Sequence, residues 1–478
     1  MNRNAIRIGI GPALYILCLF MPFLGDLSAR VGFGIMCWVA YWWVSGAVPF
    51  FWTMTVPLLG ASIIPILPLK KVIQTYIDPL IILILATCLI SGAWIKWGAA
   101  KRLALKFMSL TGNNVRNQVV MWFVLSSLIS AFVADTITPV ALAPVVIALL
   151  IGAGYATYED RMKSKSAGNI LMAVAWGASN GGFVTPLAGG QALVVYAMLQ
   201  EQLGHPVDFV SWSIRAVLPV IFITLCIIPF LRWGLKYDVD TFPGSKNIYK
   251  EELAKLGPMN RAEKISLYGF LLGIVIVFAE PLFRDFLPYK IEPSILFLLI
   301  AIAMFLIPAN KNGEKVLSED IIKQYFPVNA LVIWPTAIAM ARILEECGAT
   351  AVIGTWLAPL ATASAGVALA GFTGVAGLMT QFSTNTAANA VVVPIAIQTM
   401  KAAGQNIIPW IYAVGSMGAL GYAVVSANGG MAVLAGYGMD IKRLFYNGMI
   451  IAAIAFAANW VFWYTVMFVV KLAFYQTT

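Results

Sequence analysis

"FVADTITPVALAP" at residues 132–144 and "FSTNTAANAVVVP" at 382–394 each lie inside a long apolar run. Lipid cannot satisfy a backbone polar group, so a cluster of hydroxyls, amides and small residues in mid-span marks an interrupted helix. The break leaves carbonyls at the end of the first half-helix and amides at the start of the second, which attract cations and anions respectively. In the first copy Thr136 or Thr138 is a natural N-cap and Pro139 a natural first helical residue. In the second, Ser383, Thr384 and Thr386 offer hydroxyls, and Asn385 offers both donor and acceptor. Two such breaks meeting at mid-membrane would enclose a polar chamber with amides directed inward, suited to a carboxylate ligand. Simple helix packing by small polar residues would explain one cluster. Two clusters at matching positions, with Pro144 and Pro394 each eight residues beyond a Thr, favour a ligand site.

The rest of the chain sets the context. Of its 478 residues 60% are hydrophobic and 11% charged, and the mean hydropathy is +0.85, too few charges to cover a soluble surface. Apolar segments near 6–24, 31–66, 117–151, 168–203, 209–236, 263–282, 291–308, 365–403, 405–437 and 445–470 predict an all-α polytopic protein of the cytoplasmic membrane, with lipid as its surroundings. Residues 1–24 read as an uncleaved first span. The net charge of +10 belongs to loops, and no basic, aromatic-interleaved face suggests nucleic acid. Five scattered cysteines read as buried thiols, and the fifteen tryptophans as interfacial anchors. No GxxxxGK[ST], HExxH or GxSxG pattern occurs and His205 is the lone histidine, so neither enzyme chemistry, ATP-driven transport nor a histidine metal site is expected.

The halves repeat. Pairing residue n with n + 250 sets Gly98 on Gly348, Thr136 on Thr386 and Pro144 on Pro394; "GGQALV" at 189–194 resembles "GGMAVL" at 429–434, a spacing of 240. Internal duplication is typical of secondary transporters. The repeats run over about 31–236 and 263–470, around the polar insert 237–262. Segments 78–106 and 327–358, each broken by charge and glycine, read as re-entrant hairpins. The basic residues of 232–264 and of 96–106 both argue for cytoplasmic loops, yet a simple span count does not put them on one side.

Thr384-Asn385-Thr386, "GASNGGFVTPLAGG" at 177–190 and "SANGG" at 426–430 resemble the divalent anion/sodium symporter family of di- and tricarboxylate transporters. That family carries a Ser-Asn-Thr motif in each of two broken helices. The resemblance implies about 11 transmembrane helices plus two re-entrant hairpins, inverted repeats and an elevator mechanism. It also implies a homodimer, with scaffold residues 1–75 and 210–325 and transport residues 76–209 and 326–478. Substrate carboxylates of the C4–C6 class (succinate, malate, 2-oxoglutarate, citrate) would lie among Ala134, Asp135, Thr136, Thr138, Thr384, Asn385, Thr386, Gly189, Gly190, Asn428 and Gly429. Sodium, the one ion implied, would sit near Ser383, Asn385 and Ala427. Two departures argue against a complete two-sodium machine. The first motif reads Ala134-Asp135-Thr136, and Gly-Gly replaces a Pro-Pro-Asn turn at 189–190 and 429–430.

A carboxylate at 135 would repel a bound dianion at low dielectric. Protonation, a bound cation, or a nearby base would relieve it, and Arg342 and Lys96 are the candidate counter-charges, with Lys101 a third. Both lysines could equally snorkel to the interface. A fixed internal counter-charge would favour exchange of one organic anion for another. Sodium symport is the alternative, and a sodium/proton antiporter using Asp135, or a channel, stands in another class.

Overall fold

The computed structural model describes residues 3–45, 47–63, 68–74, 76, 79–205, 207–242, 244–283, 292–311, 313–325, 364–425, 427–472 and 475, with isolated positions between 335 and 355. The expected second hairpin, 327–358, therefore lies almost wholly outside the described residues. Those described are helical, with no strand among them beyond two isolated bridges. In chain order we label α1 Arg3–Leu19, α2 Leu27–Ser45, α3 Thr55–Ile63, α4 Pro79–Trp97, α5 Ala99–Met108, α6 Val115–Ser130, α7 Ile137–Gly152, α8 Lys165–Gly181 and α9 Gly190–Leu203. There follow α10 Phe209–Pro229, α11 Ser245–Lys255, α12 Arg261–Phe283, α13 Pro293–Leu306, α14 Ala365–Phe382, α15 Asn385–Ala402, α16 Ile407–Gly418, α17 Gly429–Gly436 and α18 Ile441–Tyr464.

Four of the apolar segments are pairs of helices: α6/α7 and α14/α15, where interruptions were expected, and α8/α9 and α16/α17. Among the described residues four helices are long and apolar enough to cross a bilayer unbroken, or five if the pair α4/α5, bent by 69°, forms one span. The bend falls at Gly98, where φ is +86°; Gly348, its partner at n + 250, has φ +75°. Only glycine takes that conformation without strain, so both copies keep it. The repeat extends to α10 and α18, each of which ends in a π-helical turn, Phe230–Gly234 and Thr465–Val469.

Small residues hold the helices together, since apolar contact alone gives no preference over lipid. Along α6, the hydroxyls of Ser126, Ser127 and Ser130 donate to the carbonyls of Val174, Gly177 and Ala178 on α8 at 2.7, 3.0 and 2.7 Å. A Cβ on Gly181 would fall 2.0 Å from the Ser127 carbonyl oxygen, so the two backbones touch. Trp122, Trp176, Trp212 and Trp463 are fully buried, and Trp42 is buried with its indole N–H on the Ile8 carbonyl at 3.1 Å. These tryptophans fill the core instead of anchoring at the interface: Trp176 donates to the Tyr422 carbonyl at 2.9 Å, whereas the indole N–H groups of Trp212 and Trp463 have no hydrogen-bond partner, so ring packing and not hydrogen bonding holds those two.

The two basic clusters share one face. Lys101 pairs with Glu252 of the polar insert at 3.1 Å, and Arg102 grips buried Glu263 of α12 with both ends of its fork while donating to the Gly257 carbonyl at 2.8 Å. Packing crosses the expected division of the chain: α4 lies on α12 and α13, and α10 on α18.

Two outcomes are expected. Gly181→Ala should force α6 and α8 apart and cost about 1–3 kcal/mol, read as a lower Tm in detergent, whereas Gly9→Ala, with open space around its Cβ, should not; equal Tm values would refute the contact. In the insert, the Asp238 carboxylate accepts from the backbone N–H groups of Lys165 and Ser166 at 3.0 and 2.9 Å. Burial works to raise its pKa, but hydrogen bonds from Ser166 and Ser164 outweigh burial and hold it at about 2. A depressed carboxylate stabilises above its unfolded pKa and loses that contribution as pH falls towards 2. The Tm difference between wild type and Asp238→Asn should therefore shrink on acidification from pH 5 to pH 2 (order-of-magnitude window).

Candidate functional site

Each repeat delivers two helix N-termini to one place. In the first, α7 begins after Thr136 and α9 after Gly189; in the second, α15 begins after Thr384 and α17 after Asn428. The same backbone bond closes both halves: Asp135 N–H donates to the Ala188 carbonyl at 2.8 Å, and Asn385 N–H to the Ala427 carbonyl at 3.2 Å. This equivalence sets Asp135 on Asn385, Gly189 on Asn428 and Gly190 on Gly429. The offset in the second arm is therefore 239, one less than aligning the two Gly-Gly pairs suggests.

The repeats interlock: α7 packs on α17 and α9 on α15. Thr136 abuts Gly429, where an added Cβ would be 3.7 Å from its Cγ2, and Thr386 abuts Gly190, where it would be 2.9 Å from Oγ1. Thr136 and Gly429 are exposed and Ala134, Thr384, Thr386 and Gly190 half-buried, an accessible lining over an otherwise buried layer. These residues come together as expected. Thr138 does not join them: it is fully buried, and its hydroxyl turns back to the Ala134 carbonyl at 3.3 Å. Thr136 precedes α7 without a side-chain cap bond, which makes Pro139 the third helical residue instead of the first. In the second copy Thr384 does cap, accepting from Ala387 N–H at 3.1 Å.

Asp135 is 4% exposed. Its Oδ2 accepts from Gln191 Nε2 at 2.8 Å and from Asn428 Nδ2 at 3.0 Å, so one carboxamide comes from each repeat. The expected counter-charges lie elsewhere. Lys96 pairs with Glu314 at 2.7 Å and donates to Ser318 at 3.0 Å, and Arg342 pairs with Glu201 at 2.6 Å, because both long side chains reach carboxylates outside the break. Two neutral carboxamides bond the acid where a cation or base was expected, at smaller desolvation cost but without cancelling its charge. Gln191 was not singled out from sequence; the signal available was a polar side chain at the second residue of an apolar helix.

Asn385 is 1% exposed, and its Oδ1 accepts from Thr380 Oγ1 at 2.7 Å and Gly421 N–H at 3.1 Å, while its Nδ2 has no hydrogen-bond partner. An orphan donor inside a membrane protein is costly unless a ligand completes it. The oxygens named for sodium are engaged by the protein: Ser383 donates to the Met379 carbonyl at 2.9 Å, and the Asn385 and Ala427 oxygens take the donors given above. Among the described residues no cluster of His, Cys, Asp and Glu could hold a metal. Gln381 bridges helices, accepting from Tyr422 and Ala423 N–H at 2.8 and 3.1 Å, and Asn389 donates to the Gly415 carbonyl at 3.0 Å. His205 is exposed.

A family model described as citrate transporter matches residues 40–415. The chain belongs to that family. Among its relatives, the sodium-dependent dicarboxylate transporter SdcS of Staphylococcus saprophyticus is 24% identical over 399 residues, 81% of this chain and 76% of that protein. SdcS of Staphylococcus aureus is 24% identical over 414 residues, 84% and 78% of the two chains. The fold is similar to that of Neisseria gonorrhoeae MtrF, from a class of antimetabolite efflux pumps, with TM-score 0.52, 12% identity and 84% of each chain covered. The citrate transporter family and the SdcS relatives together bear out the resemblance to the divalent anion/sodium symporters, and the chain is a multi-pass protein of the cytoplasmic membrane.

If the two amides compensate Asp135 as drawn, Asp135→Ala and Asn428→Ala should be coupled. Each single change is expected to cost about 1–3 kcal/mol, and the double variant much less than their sum. Tm values of the four purified proteins check this, and simple additivity would contradict the contact.

Proposed function

We propose that this citrate-transporter-family protein carries C4–C6 di- and tricarboxylates across the cytoplasmic membrane, exchanging one organic anion for another. The orphan Nδ2 of Asn385 beside the half-buried hydroxyl of Thr386 carries the reading, because it is a donor inside the protein that a substrate carboxylate would complete. The helix starts around it add unpaired amides of the same polarity.

Exchange is favoured by the departures at the loops that would hold sodium: Ala134-Asp135-Thr136 stands in place of the first Ser-Asn-Thr motif, and Gly-Gly stands at 189–190 and 429–430. Sodium symport is the second reading, and the printed names of the SdcS relatives favour it. Either coupling is compatible with an elevator in which residues 76–209 and 326–478 move against a dimeric scaffold of 1–75 and 210–325.

Vesicles loaded with unlabelled succinate or malate should take up labelled substrate rapidly without sodium. Uptake that appears only under an inward sodium gradient would replace exchange by symport, and absence of flux under both regimes would remove the carboxylate reading. Asn385→Ala should reduce flux at least tenfold, the loss of about one charge-assisted hydrogen bond, with monodispersity retained.

A further inference from the structure

The repeat makes the two halves of the site comparable residue by residue, and two of their differences matter here. Asp135 stands where the second half has Asn385, and Gly189 stands where it has Asn428. In one half the Asn428 side chain crosses between repeats to Asp135. In the other the equivalent crossing would come from residue 189, which has no side chain, and Asn385 Nδ2 is the atom left without a partner. Beside it stand Thr386 and the first turn of α9 at Gly190, so this half offers donors to an anion.

The opposite half already contains an acid. Oδ2 of Asp135 is taken by Gln191 and Asn428, and its other oxygen faces Gly189, where an added Cβ would lie 3.1 Å away. A substrate carboxylate seated there would meet a fixed carboxylate at low dielectric, a strongly unfavourable pairing. A hydroxyl or ammonium would instead donate to it.

We propose that the site is one-sided: a substrate carboxylate seats against Asn385, Thr386 and Gly190, and Asp135 selects, among small carboxylates, those bearing a hydroxyl or ammonium donor. This rests on the carboxylate-carrier reading and narrows its substrate class to hydroxy- or amino-acids. Asp135 is a specificity residue in that role, and Gly189, without a side chain, leaves room beside its second oxygen.

The test uses the full chain in proteoliposomes preloaded with malate, with sodium on both sides, so that either form of coupling supports flux. Unlabelled malate, aspartate and succinate compete with labelled malate. Malate or aspartate should compete about tenfold better than succinate, as one hydrogen bond to a charged group would give, and Asp135→Asn should bring succinate to within about twofold of malate. Equal competition by all three in wild type overturns the proposal, as does an unchanged ratio in an Asp135→Asn protein that still transports malate. The wild-type comparison stands even where that variant fails to fold. Malate flux without discrimination sinks only this inference, whereas no malate flux in wild type sinks the carrier reading and the inference with it.

Discussion

Inside a bilayer the backbone amide and carbonyl groups freed by breaking a helix have nothing but protein to bond, and this chain breaks its helices in both repeats. The same bond closes each break: the residue that begins the re-entering chain donates its N–H to an alanine carbonyl on the following broken helix, Asp135 to Ala188 and Asn385 to Ala427. That bond fixes where the next helix begins and brings four helix starts to one layer. Side chains then interlock across the repeats, with α7 on α17 and α9 on α15. Glycine is required where they touch: a Cβ at Gly430 would stand 2.4 Å from Pro139, and one at Gly190 2.9 Å from Thr386.

A duplicated site would be expected to present the same chemistry twice, and here it does not. One half holds a carboxylate compensated by two carboxamides; the other holds a carboxamide with a free donor. Charge explains the division of labour better than shape does. Fixing an acid at 135 with neutral amides avoids the desolvation cost of a buried ion pair and leaves Lys96 and Arg342 to pair with Glu314 and Glu201.

The broken helices were readable because their physics is local: a polar cluster in an apolar run is anomalous wherever it occurs. Gly98 and Gly348 were readable as a repeat for the same reason, and both take positive φ. What failed was whatever depends on three-dimensional geometry, within a turn or between segments. Thr138 looked like a cap, but its hydroxyl bonds to its own preceding carbonyls, which only the local turn geometry decides. The counter-charge to Asp135 was sought among bases because strong compensation usually means charge, and Gln191, two residues into a motif already noticed, was passed over. The 240-residue spacing of the Gly-Gly pairs was attractive as a string match, yet the backbone bonds set Gly189 against Asn428.

That one-residue correction changes the chemistry assigned to the second arm. Aligned glycine on glycine, both arms would begin with bare backbone. Aligned by the bonds to Ala188 and Ala427, one arm begins with an amide side chain and the other with none. Asn428 also caps α17 by accepting from Gly430 N–H at 2.8 Å, which turns its Nδ2 away from its own helix and towards Asp135. A single side chain therefore starts one helix, bridges the two repeats and bonds the intramembrane acid, while its counterpart, Gly189, has no side chain with which to do the same.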